Sequence, residues 1–246
     1  MRRSIPLAVL IISMASSPAR AQGGFRWPDN PKNIKVLPDS IRGPRLGQVM
    51  RGFTGALGVR CEYCHVGQGD LSNFDFASDE KPTKQKARVM LTMLQAINGT
   101  HLAELGEKRM TVTCSTCHHG LSRPQALEDV LEAAVDSAGI DAATAKYDEL
   151  RKRYYGGYSY NFGRGPLTVL GERMIQRQKF SEAVKFLQLE IAGNGEDVRT
   201  LMALGGAQVQ AGDKDGARKT FDQALAIAPD GMKPMIQQQV DRMMKP

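Results

Sequence analysis

Two five-residue stretches of one pattern constrain this chain more than any other part of its sequence. They are Cys61-Glu62-Tyr63-Cys64-His65 and Cys114-Ser115-Thr116-Cys117-His118, and together they contain all four cysteines of the chain. Cys-x-x-Cys-His is the attachment pattern of c-type haem. Each cysteine thiol forms a thioether bond to a haem vinyl group, and the adjacent histidine ligates the iron from the proximal side. The sequence therefore predicts two covalently bound c-type haems, tethered by Cys61, Cys64, Cys114 and Cys117, with His65 and His118 as proximal ligands.

Two disulfides, or a zinc site built from two Cys-x-x-Cys pairs, are the alternative uses of these cysteines. A zinc ribbon usually separates its pairs by about 15–20 residues, whereas 49 residues lie between Cys64 and Cys114. Neither alternative requires a histidine directly after the second cysteine of each pair. The pattern therefore favours haem.

The N-terminus has the features of an export signal. Met1-Arg2-Arg3 precedes an apolar run from Ile5 to Met14, and Ala19-Arg20-Ala21 follows as a cleavage signal. We expect residues 1–21 to be a signal peptide and the mature chain to be periplasmic or extracellular. The apolar run is about ten residues long, too short to span a bilayer, and no other segment approaches transmembrane length.

The formal net charge of +7 does not by itself indicate a nucleic-acid-binding protein. Loss of the signal peptide removes Arg2, Arg3 and Arg20 and no acidic residue, which leaves a charge of +4. Two haems would add four propionates and bring the charge near zero, apart from the irons. We therefore expect redox proteins, and no nucleic acid, as partners.

The chain is predicted to be all-α, since no stretch has a strong strand pattern. We expect a dihaem cytochrome c domain with long loops over residues 22–124, a helical linker over 125–165 and a helical-repeat domain over 166–246. The proline-rich segment 22–45 is either an extended arm that wraps a core or partly disordered.

Four further helices are predicted from local signals. A helix over about Leu46 to Leu57 should end at Gly58, and an amphipathic helix should span Thr83 to Ile97. Residues 126–154 should form two helices, with Asp141 as the N-cap of the second.

An internal repeat with an offset of 34 residues begins after Pro166. Leu170-Gly171 recurs as Leu204-Gly205, Ala183 recurs as Ala217, and Leu187 recurs as Phe221. This resembles the tetratricopeptide pattern, in which small residues let two antiparallel helices approach each other. A generic pair of helical hairpins is the alternative. We expect a terminal helix over about Lys233 to Met244 to cap the stack, which offers a surface for docking or self-association.

Stretches around both haem motifs resemble the cytochrome subunit of bacterial photosynthetic reaction centres. They include Met50-Arg51-Gly52-Phe53 and Leu57-Gly58-Val59-Arg60 before the first motif, and Lys84 to Met93 before the second. The resemblance covers residues 33–124 and one dihaem half of that four-haem subunit, so the histidine that the other half supplies to one haem is missing here.

The resemblance also implies the sixth iron ligands. In the family a methionine on the helix before each motif supplies this ligand, which assigns Met50 to the first haem and Met90 to the second. Spacing alone leaves Met50 open between iron ligand and core residue. Met93 is assigned to the core. His101 is the rival to Met90, although a surface or propionate-binding role suits it better, and His119 is assigned a structural or propionate-facing role.

Taken together, the sequence predicts an exported dihaem electron carrier with a helical-repeat docking or assembly module. The main enzymatic alternative is a dihaem peroxidase, which needs an acid/base group beside an open iron site, and His101 is the candidate for that group. A polymer-forming extracellular cytochrome is the other alternative.

Overall fold

The computed structural model describes residues 25–106 and 110–245, so the predicted signal peptide lies outside the described residues. Within them the prediction of an all-α chain is confirmed, and the one extended pairing is an isolated bridge between Val66 and Asp75. No helix in the described ranges is both long enough and apolar enough to cross a membrane. The α-helices are α1 (Gly43–Leu57), α2 (Pro82–Ala96), α3 (Cys114–His118), α4 (Leu127–Tyr154), α5 (Pro166–Gln176), α6 (Phe180–Asn194), α7 (Val198–Gln210), α8 (Lys214–Ile227) and α9 (Lys233–Met244).

The described residues form two compact units. One contains the residues up to Arg51 together with Cys61–Thr92, and the other contains Gly52–Arg60 and the residues from Met93 onward.

In the first unit the N-terminal arm packs through its aromatic side chains. The rings of Phe25 and Trp27 lie 5.4 and 6.4 Å from the ring of Phe76, measured between centroids. Trp27 also covers Gly47 on α1, where an added Cβ would come within 2.6 Å of the indole nitrogen. Of the two alternatives for the arm, the structure therefore favours wrapping for the described residues from Phe25 onward.

The two helices predicted before the motifs are present, but α1 begins three residues before the predicted Leu46 and α2 begins one residue before the predicted Thr83. α1 ends at Leu57, and Gly58 follows in the left-handed conformation with φ +63°. Here glycine is required twice over, because an added Cβ would also lie 2.0 Å from the carbonyl oxygen of Gly120. α2 ends one residue before the predicted Ile97 and continues as a π-helical turn over Ile97–His101.

α4 is interrupted at Gly139, whose φ of 83° and ψ of −179° are not helical. The prediction of two helices within 126–154 is thereby confirmed. The apolar face of both halves packs with the helices that follow in one hydrophobic cluster, which includes Leu127, Leu131, Val135, Tyr147, Leu150, Phe162, Leu167 and Phe186.

The four helices α5 to α8 form two consecutive hairpins that share one packing device. An added Cβ at Gly171 on α5 would lie 2.6 Å from the side chain of Leu187 on α6. The equivalent position 34 residues on, Gly205 on α7, would meet the ring of Phe221 on α8 at 2.3 Å. Each glycine therefore lets a large apolar side chain of the partner helix approach the backbone. The two hairpins thus repeat the same packing contact 34 residues apart. That it is a tetratricopeptide repeat stays a prediction.

A buried carboxylate ties the first hairpin to the segment before it. Glu190 on α6 is fully buried and accepts hydrogen bonds from the backbone N–H groups of Gly165, at 3.0 Å, and Leu167, at 3.1 Å. These groups stand at the N-terminus of α5, where backbone donors lack helical partners and the helix dipole favours a negative charge. Asn194 donates a third hydrogen bond to the same carboxylate at 3.0 Å.

The last predicted helix is also confirmed, since α9 spans Lys233–Met244. Its buried residues Ile236 and Val240 pack with Ala217, Phe221 and Ala228 in a second hydrophobic cluster.

Candidate haem-attachment sites

The first motif forms a single helical turn. The backbone N–H groups of Cys64 and His65 both donate to the carbonyl oxygen of Cys61, at 3.2 and 3.0 Å. Residues three apart in such a turn lie on the same face, so the thiols of Cys61 and Cys64 are presented together. Both thiols are free, and burial raises the pKa of Cys64, which keeps that thiol protonated at neutral pH.

His65 occupies an apolar, half-buried position next to this turn. The ring of Phe76 meets it edge-on, with 5.1 Å between centroids, and Phe74 stacks on Phe76 at 5.4 Å. Burial, followed by the positive charge of Lys84, lowers the pKa of His65. The imidazole is therefore neutral at pH 7, and neutral imidazole is the form that ligates a metal. Its buried Nδ1 atom has no hydrogen-bond partner among the described residues.

Lys84 holds the loop that carries these aromatic rings. Its ammonium group donates to the carbonyl oxygens of Phe76, at 2.9 Å, and Ser78, at 2.6 Å. Asp79 at the end of the loop accepts hydrogen bonds from Lys35 and Asn33, each at 2.8 Å, and pairs with Arg88 at 2.8 Å. Arg88, followed by Lys35, holds the pKa of Asp79 far below its usual range, so this carboxylate stays charged.

The second motif is the short helix α3, and its own residues cap it. Thr113 and Thr116 form a capping box, in which the backbone N–H of Thr113 donates to the hydroxyl of Thr116 at 3.0 Å. The helix stops at His119, which has the left-handed φ of 49°. Cys114 and Cys117 are free thiols on the same turn, and burial raises the pKa of Cys114.

His118 differs from His65 in how its ring is held. It is 9% exposed, and its Nδ1 atom lies 2.7 Å from the carbonyl oxygen of Leu121. A carbonyl can only accept, so Nδ1 carries the proton and Nε2 keeps the free lone pair. Metal-ligating histidines are usually fixed in this way, because the second hydrogen bond sets both tautomer and ring orientation.

His119 has a structural role, as predicted. Its Nε2 atom donates to the carbonyl oxygen of Thr116 at 2.8 Å, which closes the turn on itself. The backbone carbonyl of His119 accepts a hydrogen bond from the Ser159 hydroxyl at 2.8 Å. A cavity of about 290 Å³ opens here, lined by Cys117, His118, His119, Leu121 and Ser159 among others.

Two contacts that sequence reasoning missed position the second motif. Asn98 in the π-helical turn donates to the carbonyl oxygen of Val112 at 2.8 Å and accepts from its backbone N–H at 2.9 Å. Gly120 donates its N–H to the carbonyl oxygen of Ala56 at 2.8 Å. Both partners are distant in sequence, so no local pattern indicates them, although a π-helical turn often marks a functional site.

The assigned sixth ligands lie on the predicted helices. Met50 is half-buried on α1, and Met90 is 42% exposed on α2. Met93, assigned to the core, is 45% exposed instead. The assignment to the core is wrong because α2 has no fully buried residue, and its more covered positions are others, among them Ala87, Leu91 and Leu94. His101 is exposed at the end of the π-helical turn.

The residues fit covalently attached haem. Each motif offers two free thiols on one turn and an imidazole in the adjacent position. Within the described ranges no group of three or more His, Cys, Asp or Glu side chains has the arrangement of a metal site. A haem iron needs no such group, because the porphyrin supplies four of its ligands.

Comparison with known proteins points to the same chemistry. A family model described as the photosynthetic reaction centre cytochrome C subunit matches residues 10–149, more than half of the chain. Cytochrome c-554 of Chloroflexus aurantiacus is 34% identical over 102 residues, which are 40% of this chain and 23% of that relative. The chain thus spans about a quarter of the length of the curated relative that it matches. No solved structure matches the chain significantly.

Proposed function

Because this chain belongs to the family of the photosynthetic reaction centre cytochrome c subunit, we propose that it is an exported dihaem electron carrier. Cys61 and Cys64 tether one haem, and Cys114 and Cys117 tether the other. His65 and His118 are the proximal ligands, and Met50 and Met90 are the distal ligands. Once attached, each haem supplies a one-electron iron(III)/iron(II) couple.

The observation that carries this proposal is the arrangement around His118. Two free thiols share one turn with an imidazole whose Nδ1 proton is committed to the Leu121 carbonyl at 2.7 Å. The only strong ligand atom left on that ring is Nε2.

The chain's own residues also determine how easily each iron takes an electron. The soft thioether of methionine favours iron(II) and raises the reduction potential. Arg88 and Lys84 add positive charge near the first motif, although Asp79 pairs with both, at 2.8 and 3.3 Å. We assign residues 22–124 to haem binding, 125–165 to a helical linker and 166–246 to a helical-repeat domain, for which a role in docking or assembly stays a prediction.

Haem content is tested on the purified mature protein. We expect two haems that stay attached after denaturation, visible by mass spectrometry, and two one-electron steps in a redox titration. A polypeptide mass without haem, or with bound zinc, would refute the proposal. Turnover of hydrogen peroxide at an enzymatic rate would favour the peroxidase instead, and concentration-dependent filaments would favour the polymer.

The distal ligands are tested separately. Ferric haem with methionine ligation has a weak near-infrared band from sulfur-to-iron charge transfer, and we expect it from both haems. Met90→Ala should remove the contribution of one haem, while His101→Ala should leave both unchanged. The reverse result would assign His101 as the ligand.

A further inference from the structure

A basic and aromatic patch is formed by residues that come after the second motif in the sequence. We define the basic–aromatic patch as Lys152, Arg153, Tyr155 and Tyr158, from the last turn of α4 and the segment after it. Tyr158 is 91% exposed and Tyr155 is 66% exposed, and both bases are exposed as well. Both rings are therefore accessible to a partner.

The bases of the patch differ from several arginines of the same unit. In the same unit Arg173, Arg177 and Arg199 all pair with carboxylates at 2.6–3.1 Å. Within the described residues Lys152 and Arg153 pair with no carboxylate. Their positive charge is therefore not neutralised by the chain itself and is available to a partner.

The patch is held in a defined arrangement. The guanidinium of Arg151 lies over the ring of Tyr155, 4.5 Å from its centroid, and that of Arg153 lies 5.1 Å from the centroid of Tyr154. Cation–π contacts of this kind restrict both side chains. A surface that is already ordered loses less entropy when a partner binds.

The patch is also joined directly to the second motif. Ser159, the residue after Tyr158, donates to the carbonyl oxygen of His119 at 2.8 Å. Ser159 lines the same cavity as Cys117 and His118. A partner bound at Tyr158 would therefore lie one residue away from Ser159, which lines the cavity beside the second haem motif.

We propose that the basic–aromatic patch is the docking surface for an acidic electron-transfer protein that exchanges electrons with the second haem. This rests on the proposed electron-carrier function. Unpaired bases steer an acidic partner and increase its rate of association, while tyrosine and arginine are the residue types most often found at the energetic centre of an interface.

The test uses a flavodoxin of acidic net charge as the electron donor to the full mature holoprotein. The anionic flavin hydroquinone gives up one electron and becomes the neutral semiquinone, and one ferric iron becomes ferrous. Stopped-flow absorbance gives the second-order rate constant, and calorimetry with oxidised flavodoxin gives the affinity without electron transfer. The variants are Lys152→Glu with Arg153→Glu, and Tyr158→Ala.

The matched control is Arg218→Glu with Lys219→Glu, which makes the same change of net charge at exposed bases on α8. We expect the patch charge reversal to slow reduction at low ionic strength by about tenfold or more, because electrostatic steering contributes about 10–1,000-fold to such rates. The effect should fade at high salt, and affinity should fall in parallel. Tyr158→Ala should weaken binding at every salt concentration.

Several outcomes would overturn the proposal. Equal slowing by the control pair would mean that net charge alone matters. Unchanged rate and affinity in the patch variants would mean that electrons enter elsewhere. If the patch variants bind flavodoxin normally and lose only their binding to phosphatidylglycerol vesicles, the patch belongs to a membrane surface. Failure of the electron-carrier function itself looks different, since a chain without haem would accept no electron even from dithionite.

Discussion

At the scale of single residues, His65 and His118 show that two motifs of the same pattern have different surroundings. Nδ1 of His118 donates to a backbone carbonyl, whereas Nδ1 of His65 has no partner among the described residues. Donation from Nδ1 makes the imidazole a stronger ligand, which favours iron(III). We therefore predict two separate reduction potentials, the lower one belonging to the haem at His118.

The assignment of the two potentials can be checked with one variant. Met50→His should lower the potential of the first haem, because it replaces a thioether by an imidazole. In a redox titration the higher of the two steps should move. If the lower step moves instead, the ranking from the histidine environments is incorrect.

Asn98 carries the second prediction at this scale. Its amide makes two hydrogen bonds to Val112, two residues before Cys114. Asn98→Ala should lower the free energy of unfolding by about 1–3 kcal/mol, because two part-buried backbone groups lose their partner. It should also change the absorption and potential of the second haem and leave the first unchanged. Asn73→Ala, at an exposed position, is the control in urea unfolding and should have little effect.

At the scale of elements, the glycines of the repeat allow a comparison between adjacent residues. Gly205→Ala forces a Cβ to within 2.3 Å of the Phe221 ring and should destabilise the chain by about 1–3 kcal/mol through overpacking. Gly206→Ala meets only the sulfur of Met243 at 3.4 Å and should be neutral or stabilising, since alanine favours a helix by about 1 kcal/mol. Equal effects in thermal unfolding would show that Gly205 is not a packing residue.

The contact between α4 and α5 depends on pH through Asp136. Arg177, followed by Lys179, lowers the pKa of Asp136 to about 2, from an ordinary 3.8. The carboxylate binds fewer protons when folded, so its stabilising effect is fully present above about pH 4 and is lost as the pH falls through about 2. Asp136→Asn should lower the melting temperature slightly at pH 7 and by less at pH 2. Asp148→Asn, whose carboxylate forms no ion pair within the described residues, should change it at neither pH.

Local signals predicted the elements well and their connections poorly. Gly58 ends α1 and Lys233–Met244 forms α9, because helix ends depend on glycine, proline and apolar spacing within a few residues. A break in α4 is predicted with Asp141 as the N-cap of the second helix, and it lies two residues earlier, at Gly139. The Cys-x-x-Cys-His motifs were evident from sequence. The bonds from Asn98 to Val112, Ser159 to His119 and Glu190 to the start of α5 link residues 14 to 40 positions apart, and no local periodicity encodes such pairs.

At the scale of the whole molecule, the hydrophobic cluster indicates which fragments can fold. α4 supplies Leu127, Leu131, Val135, Tyr147 and Leu150 to the same cluster as Phe162, Leu167 and Phe186. We predict that residues 125–246 fold into a helical fragment without haem, with cooperative thermal unfolding by circular dichroism. Residues 155–246 should melt at a lower temperature or aggregate, because they expose the surface that α4 covers.

If the shorter fragment is as stable as the longer one, α4 is not part of this folding unit. The cluster also bears on where to separate haem binding from docking. A cut after Tyr154 would divide the cluster, whereas a cut after Pro124 would leave it whole. The bond from Ser159 to His119 would still be lost from a fragment of residues 22–124, so its second haem should be the more perturbed of the two.

The short segment between α4 and α5 is fastened at both ends. The Ser159 hydroxyl donates to the backbone carbonyl of His119 beside the second motif, and the N–H of Gly165 donates to the buried carboxylate of Glu190 in the first hairpin. Six peptide bonds separate Ser159 from Gly165, which makes a short covalent path between the two contacts. A displacement of the first hairpin would therefore be passed along this path to the peptide next to His118, and a loop of glycine and serine inserted at Gly163 would lengthen the path.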